Sequence, residues 1–393
     1  MKFDKIKKLT DENIFNTYGR QSICFESGKK CKLYDTEGKE YTDFLAGIAV
    51  NILGHNDKEL VKAIKEQAGF LHLSNLYYSK NQAALAEKLC KAAGMDKAFF
   101  CNSGAEANEA AIKLARKYFS EKGVNKYKFI TAKNSFHGRT MGSLSATGQE
   151  KYSMAFKPLL PGFTFAEYNN FEAFKACCDD ETCAIILETI QGEGGVIEAK
   201  QEFIDKIYAF TREKGILLII DEIQTGLGRT GKMFSYMNYG IKPDIITVAK
   251  GLAGGLPMGA MLAVKEVNKS FVPGDHGSTF GGNLMAAAAA NIVIDKLNNG
   301  LIEQAEETGK YFKQKLKSLK SKNVMSVSGQ GLMLGVKLNE KLQAKEVVLK
   351  MLEKGFIINA CGNNTLRFLP PIIISKREIS TMVNALTEII DNM

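Results

Sequence analysis

Two apolar runs in this chain end on a charged side chain. Residues 216–220 read Ile-Leu-Leu-Ile-Ile and lead directly into Asp221. Residues 245–249 read Ile-Ile-Thr-Val-Ala and lead into Lys250, which Gly251, Gly254 and Gly255 follow. Runs of this length and composition suit strands covered on both faces. Ligands of open α/β sheets bind in the crevice beyond the strands' carboxyl ends, so both charges fall where chemistry is done. An acid there is costly to desolvate unless it meets a cation, and a lysine is seldom tolerated unless it is paired or used. Loss of water lowers an amine's pKa, which prepares it to attack a carbonyl carbon. Taken singly, Asp221 is a loop cap and Lys250 one half of a buried ion pair. The glycines after Lys250 let a bulky group approach the backbone, which favours a site. A third stretch, Cys101-Asn102-Ser103-Gly104-Ala105-Glu106, has capping-box spacing at a helix start. Such a start is an ordinary cap, and it also offers free amide hydrogens to a phosphate.

The elements that must position these groups follow from periodicity. Residues 30–44 read as a β-hairpin turning at Asp35-Thr36-Glu37-Gly38. A helix is expected over 81–93, a short strand at Phe99-Phe100-Cys101, and a helix from Ser103 to about Phe119. Further buried strands are expected at 128–131 and 183–187 beside 216–220 and 245–249. The fold class this predicts is α/β, a mostly parallel central sheet covered by helices. After about 285 the pattern becomes amphipathic helices with an isolated strand near 331–337. The expected division is a large α/β domain over 55–285 and a smaller α+β domain built from 1–54 and 286–393. Gly226-Leu227-Gly228-Arg229-Thr230-Gly231 matches the dinucleotide fingerprint letter for letter, but that mechanism needs its first glycine directly after a strand. Here Glu222 to Thr225 intervene and 232–240 makes a poor helix, so no nicotinamide site is expected.

Composition narrows the function classes. At 393 residues with 45% hydrophobic and 24% charged side chains the chain reads as globular, with more than one core. The net charge of +9 comes from scattered lysines rather than a stripe, so anionic ligands are a better reading than nucleic acid. No secretory leader or membrane span is expected. The eight cysteines contain no Cys-x-x-Cys pair, which suits free thiols in a reducing cytoplasm, and the four histidines are dispersed, so no metal site is expected.

Taken together, these segments resemble class III pyridoxal-phosphate aminotransferases of fold type I, and within them the acetylornithine and ornithine branch. The resemblance covers nearly the whole chain. It runs through Ala46-Gly47-Ile48-Ala49-Val50-Asn51, Gly54-His55, Phe136-His137-Gly138-Arg139-Thr140 and Gln191-Gly192-Glu193-Gly194-Gly195. It continues through Asp221-Glu222-Ile223-Gln224-Thr225-Gly226, Gly277-Ser278-Thr279-Phe280-Gly281-Gly282-Asn283 and Leu366-Arg367-Phe368-Leu369-Pro370-Pro371. Asp57 and Leu284 stand where prolines are common in the family.

The resemblance implies pyridoxal 5'-phosphate held as a Schiff base on Lys250, which also shuttles the proton. It implies Asp221 at the ring nitrogen, Phe136 on the ring face, Gln224 at the ring hydroxyl, and Ser103, Gly104 and Ala105 at the phosphate. Thr279 would reach the phosphate of a partner subunit, so a homodimer is implied. For substrates it implies that Arg139, helped by Ser278, clamps a distal carboxylate. Arg367 would bind the inner carboxylate of glutamate and be neutralised by Glu193 when a terminal amine is bound. The implied reaction moves the terminal amine of N2-acetyl-L-ornithine to 2-oxoglutarate, a step of arginine biosynthesis. Ornithine, succinylornithine, succinyldiaminopimelate or 4-aminobutyrate as donor, an aminomutase, and a non-catalytic binding protein stay open as alternatives. Against free ornithine, the loop 46–50 lacks the tyrosine carried by ornithine-specific relatives.

Overall fold

The structure is a computed structural model that describes residues 1–362 and 364–393. Among these residues seven strands form one sheet in the spatial order Lys97–Cys101, Gly259–Ala263, Ile245–Val248, Leu217–Asp221, Thr182–Leu187, Lys128–Ala132 and Phe163–Ala166. Every neighbouring pair from Ile245–Val248 to Phe163–Ala166 is parallel, while Gly259–Ala263 runs antiparallel to both its neighbours. The expected α/β class with a mostly parallel sheet is what the chain adopts. The run 216–220 shows why it is apolar at every position. Leu217 and Ile219 join the core on one side of the sheet, with Ala111, Leu114 and Phe119 of the Gly104–Ser120 helix. Leu218 and Ile220 join the other core, with Ile185, Leu187 and Val248. Side chains alternate faces along a strand, so a strand buried on both sides has no polar position to offer.

Gly104–Ser120 begins where Ser103 accepts the Glu106 N–H at 3.2 Å. The reciprocal half of the expected capping box is displaced by one residue, because Glu106 accepts the Asn102 N–H at 2.7 Å. The hairpin is present as Lys32–Asp35 and Glu40–Asp43, and Phe356–Ile357 adds to it in parallel, so segments over three hundred positions apart share that sheet.

The strand expected to be isolated near 331–337 is not isolated. Met333–Leu338 pairs antiparallel with Val324–Gln330 and Thr365–Phe368, and Asn359–Cys361 completes a four-stranded sheet. Val324–Gln330 is only half-buried and rich in serine and glycine, so its strand character comes from its partner rather than its own pattern. The helix Leu284–Lys296 is apolar nearly all round rather than amphipathic, since it is buried against helices Lys58–Gln67 and Lys80–Ala93.

Both departures from the family's prolines have structural content. Leu284 opens its helix behind Asn283, whose side chain accepts the Met285 and Ala286 N–H groups. Asp57 caps Lys58–Gln67 by accepting the Leu60 N–H at 3.0 Å and pairs with Lys296 at 2.9 Å. Asp57→Ala should therefore cost about 0.5–2 kcal/mol, the range for a lost N-cap. Asp57→Asn, which keeps the cap and loses the ion pair, should cost about half of that. Urea unfolding of the two variants checks the order, and equal losses would assign the effect to the ion pair instead of the cap.

Candidate active site

Three neighbouring parallel strands release an ionisable side chain at the same edge of the sheet. Lys250 follows Ile245–Val248, Asp221 ends Leu217–Asp221, and Glu188 follows Thr182–Leu187. The next strand, Lys128–Ala132, leads to Phe136, His137 and Arg139. All six line one cavity of about 420 Å³, together with residues 102–105, Gln224 and Val50.

Lys250 sits at φ +48, a left-handed conformation that a side chain with a Cβ adopts only under constraint. Burial lowers its pKa from 10.5 to about 8, with Glu193, Asp221 and Glu188 opposing the fall and Arg367 adding to it. Asp221 is only 3% exposed. One oxygen accepts from Asn108 Nδ2 at 2.9 Å and contacts His137 Nδ1 at 2.8 Å, and the other accepts the Ile223 N–H at 3.0 Å. Asn108 also bonds the His137 carbonyl and Thr247, so one amide ties the helix, the Phe136 segment and two strands to the acid. For His137, burial works against charge, but the bond and charge of Asp221 prevail and hold it above 6.5. Glu188 goes the other way. Burial raises it to about 8, although His137 and the Phe136 N–H favour its charged form. Glu222 turns away into bonds with Thr225 and the Tyr236 N–H.

The N-terminus of Gly104–Ser120 lines the same cavity. Ser103 takes the Glu106 N–H, which leaves the Gly104 and Ala105 amides without a partner inside the helix. They point to an anion site reinforced by the dipole of a 17-residue helix.

Beyond the cavity wall, Arg367 is 1% exposed. Its Nη1 donates to Glu193 at 2.5 Å, to Gln224 at 3.0 Å and to the Gly192 carbonyl at 3.1 Å. Burial raises the pKa of Glu193, but the Arg367 charge and bond override it and the net shift is downward. Gln224 lines the cavity and contacts both members of this pair. A Cβ on Gly192 would stand 2.2 Å from the Gln224 amide oxygen, so a side chain there would displace the Gln224 amide from its place beside Arg367. Arg139 makes no ion pair among the described residues, and its guanidinium lies 3.9 Å from the Tyr152 ring centroid and 5.5 Å from that of Phe136. Ser278 and Thr279 do not line their own chain's cavity. The Ser278 hydroxyl accepts from Asn102, and Thr279 is exposed.

The loop before Asn51 is a run of left-handed residues, with φ of +50, +64, +65 and +64 from Ala46 to Ala49. Three of the four carry a Cβ, at a cost of about 1–2 kcal/mol each. Asp43 offsets this by accepting the Leu45 and Ala46 N–H groups while it pairs with His55. Ile48 faces outward, and Val50 is the residue of this loop that lines the cavity.

The aminotransferase class-III family matches residues 15–390. The chain belongs to the class-III aminotransferases. It is 52% identical to the acetylornithine aminotransferase of Aquifex aeolicus over 96% of this chain and 99% of that one. With the Bacillus subtilis acetylornithine aminotransferase identity is 44%, over 96% and 97%. Among solved structures it is similar to the ornithine aminotransferase of Toxoplasma gondii, with a TM-score of 0.95, 29% identity and 100% and 97% coverage. It is also similar to the N-acetylornithine aminotransferase of Stenotrophomonas maltophilia, at 0.85, 34% and 98% of both chains. This aminotransferase is therefore pyridoxal-phosphate-dependent. The cavity fits that cofactor, with an amine of lowered pKa, a buried carboxylate and a helix N-terminus around one space.

Sequence reasoning missed Asn108, His137, Glu188 and Tyr152. Glu188 carried the same signal as Asp221, an acid at the carboxyl end of an apolar strand. Asn108 was visible as a polar residue among alanines on a buried helix face. Tyr152 had no local signal, because it meets Arg139 only through the fold.

A pKa of about 8 for Lys250 has a direct consequence. Only the neutral amine attacks a carbonyl, so the cofactor-free enzyme should capture a small uncharged aldehyde at Lys250 at a rate that rises with pH and is half-maximal at about 8. Trapping with cyanoborohydride and peptide mass mapping reads the profile. A midpoint above 10, the range of an ordinary lysine, would contradict the effect of burial.

Proposed function

We propose that this aminotransferase moves the terminal amino group of N2-acetyl-L-ornithine to 2-oxoglutarate, giving N-acetylglutamate 5-semialdehyde and glutamate. The observation that carries this reading is the unequal state of the two arginines. Arg367 is neutralised by Glu193, whereas Arg139 lines the cavity free of any ion pair among the described residues. A donor whose reacting amine has no adjacent carboxylate needs only the second. Glutamate needs both, and guanidinium–carboxylate bonds are strong and directional enough to choose between the two orientations.

Bound pyridoxal phosphate supplies the carbonyl that takes up the amino group and the conjugated ring that spreads the electron pair left on the substrate carbon. The residues of the chain do the rest. Lys250 would hold the cofactor through Nζ, and its free amine would be the base that accepts the proton from the substrate carbon. Asp221 would hold the ring nitrogen's proton, Phe136 the ring face, Gln224 the ring hydroxyl, and Ser103, Gly104 and Ala105 the phosphate. His137 and Asn108 keep Asp221 oriented.

A homodimer belongs to the same proposal. Leu76, Tyr77, Tyr78 and Phe280 are exposed, and His72 and Asn75 join that segment to the 278–281 loop. An apolar surface of this kind marks an interface, and Thr279 lies on it, free to reach a second copy's phosphate. All eight cysteines are free, which suits the cytoplasm.

Free ornithine is the second reading, favoured by the higher TM-score with the Toxoplasma gondii enzyme. Its charged α-ammonium would have to be desolvated beside Val50, where the loop offers no hydroxyl. Initial rates with acetylornithine, succinylornithine, ornithine and 4-aminobutyrate, each with 2-oxoglutarate, decide between them. Acetylornithine should exceed ornithine in kcat/KM by ~10²-fold. Preference for ornithine reassigns the donor, and no glutamate with any donor removes the transamination reading. For the site, Asp221→Asn should keep the fold by circular dichroism and lose about 10²-fold or more of kcat, since a fixed charge opposite developing charge is gone. Near-normal turnover would refute the role of Asp221.

A further inference from the structure

The loop that imitates the dinucleotide fingerprint carries a buried charge for which the proposed reaction has no use. Arg229 is 1% exposed. Burial lowers its pKa to about 9, with the charge of Asp43 acting the other way. Burying a guanidinium is expensive, and an apolar side chain of similar volume fills a core at less cost. What an apolar residue cannot do is grip two backbone carbonyls at once. Arg229 Nη1 donates to the Pro370 carbonyl at 2.5 Å and to the Leu332 carbonyl at 3.1 Å, while the Arg229 carbonyl accepts the Leu332 N–H at 2.9 Å.

Those two carbonyls flank a pair of strands. Leu332 precedes Met333–Leu338, Pro370 lies two residues beyond Thr365–Phe368, and Arg367 stands opposite Gly335 in that pair. The loop glycines serve the same contact. A Cβ on Gly331, at φ +54, would stand 2.6 Å from the Arg229 carbonyl oxygen, so the two backbones meet with no room for a side chain. Arg367 is thus held twice by one segment. Gln224, three residues after Asp221, holds its guanidinium at 3.0 Å, and Arg229, five residues further on, holds the strand pair beneath it.

We propose that Arg229 is a positioning residue that sets Arg367 in register with the Asp221 end of the site, so that its specific contribution is to the glutamate and 2-oxoglutarate half of the reaction. The proposal rests on Arg367 being the arginine that binds glutamate's inner carboxylate. Arg229 touches neither substrate nor cofactor. Both bonds leave from the one nitrogen Nη1, so an apolar side chain of similar length removes the grip whole, and misplacing a carboxylate clamp by about 1 Å costs on the order of 10²-fold.

The test uses single-turnover absorbance changes of the holoenzyme, driven separately by glutamate and by acetylornithine, for Arg229→Met, which removes both bonds at similar volume, and for Gly331→Ala, which forces the two backbones apart. Arg367→Ala serves as the control. In the two test variants kcat/KM for glutamate should fall roughly 10- to 100-fold while that for acetylornithine stays within about threefold. Equal losses in both halves, or no loss in either, overturn the proposal. If neither variant yields soluble holoenzyme, Arg229 is a folding residue and the proposal is likewise overturned. If Arg367→Ala shows no preference for the glutamate half, the reading of Arg367 fails. If it shows that preference and the Arg229 and Gly331 variants do not, only the positioning role fails.

Discussion

A carboxylate buried at the end of a parallel strand can remain there only if its oxygens find donors, and Asp221 sets that demand on the rest of the molecule. Hydrogen bonds to a charged group each contribute about 1.5–3 kcal/mol, and losing one inside the protein costs at least as much. The donors are Asn108 from the Gly104–Ser120 helix, His137 from the segment after Lys128–Ala132, and the Ile223 N–H from the acid's own chain. Satisfying Asp221 therefore brings three separate pieces of chain together. Those pieces also carry the helix N-terminus at residues 103–105, the Phe136 ring and Gln224. The cavity is the space they leave between them.

Charge is arranged around that space with little excess. Lys250 is held at a lowered pKa by burial, Glu188 at a raised one, and Arg367 meets Glu193. Burial thus biases two of these groups toward neutrality and leaves a compact ion pair beside Gln224. Arg139, resting on the Tyr152 ring, has no ion-pair partner among the described residues, whereas Arg367 already has one in Glu193. Left-handed backbone occurs at Lys250, which lines the cavity, and along Ala46–Ala49, which leads into the cavity-lining Val50. Left-handed residues survive only where their surroundings over-determine them. For the loop, Asp43 and His55 supply that determination.

The contrast between Val324–Gln330 and Leu217–Asp221 shows how far local pattern carries. Five consecutive apolar residues have one comfortable environment, between two layers of helices, so the run 216–220 announces both the conformation and the depth of the strand Leu217–Asp221. Val-Met-Ser-Val-Ser-Gly-Gln has no such preference and becomes a strand because Met333–Leu338 presents unpaired backbone groups to it. Leu284–Lys296 errs in the opposite direction, since its all-round apolar surface reflects two helices packed on different sides. Site residues divide the same way. Lys250, Asp221 and Ser103 were legible as chemistry because strand exits and helix starts are marked locally. Phe136, Arg139, Gln224, Glu193 and Arg367 were legible only through the family's ordered motifs.

What the sequence determined by itself was the parallel sheet, the helix that begins at Ser103, and the placing of an acid and an amine at strand exits, because burial on two faces and helix capping are short-range demands written in consecutive residues. The tertiary structure alone decided which strands became neighbours, and so that Lys250, Asp221 and Glu188 face one cavity. It alone decided that Asn108 serves Asp221 and that Tyr152 lies under Arg139. It also turned a nucleotide-like glycine loop into a backbone-to-backbone contact with Gly331. Each of these depends on groups tens to hundreds of residues apart, whose meeting is settled by the free energy of the whole core and not by any pattern along the chain.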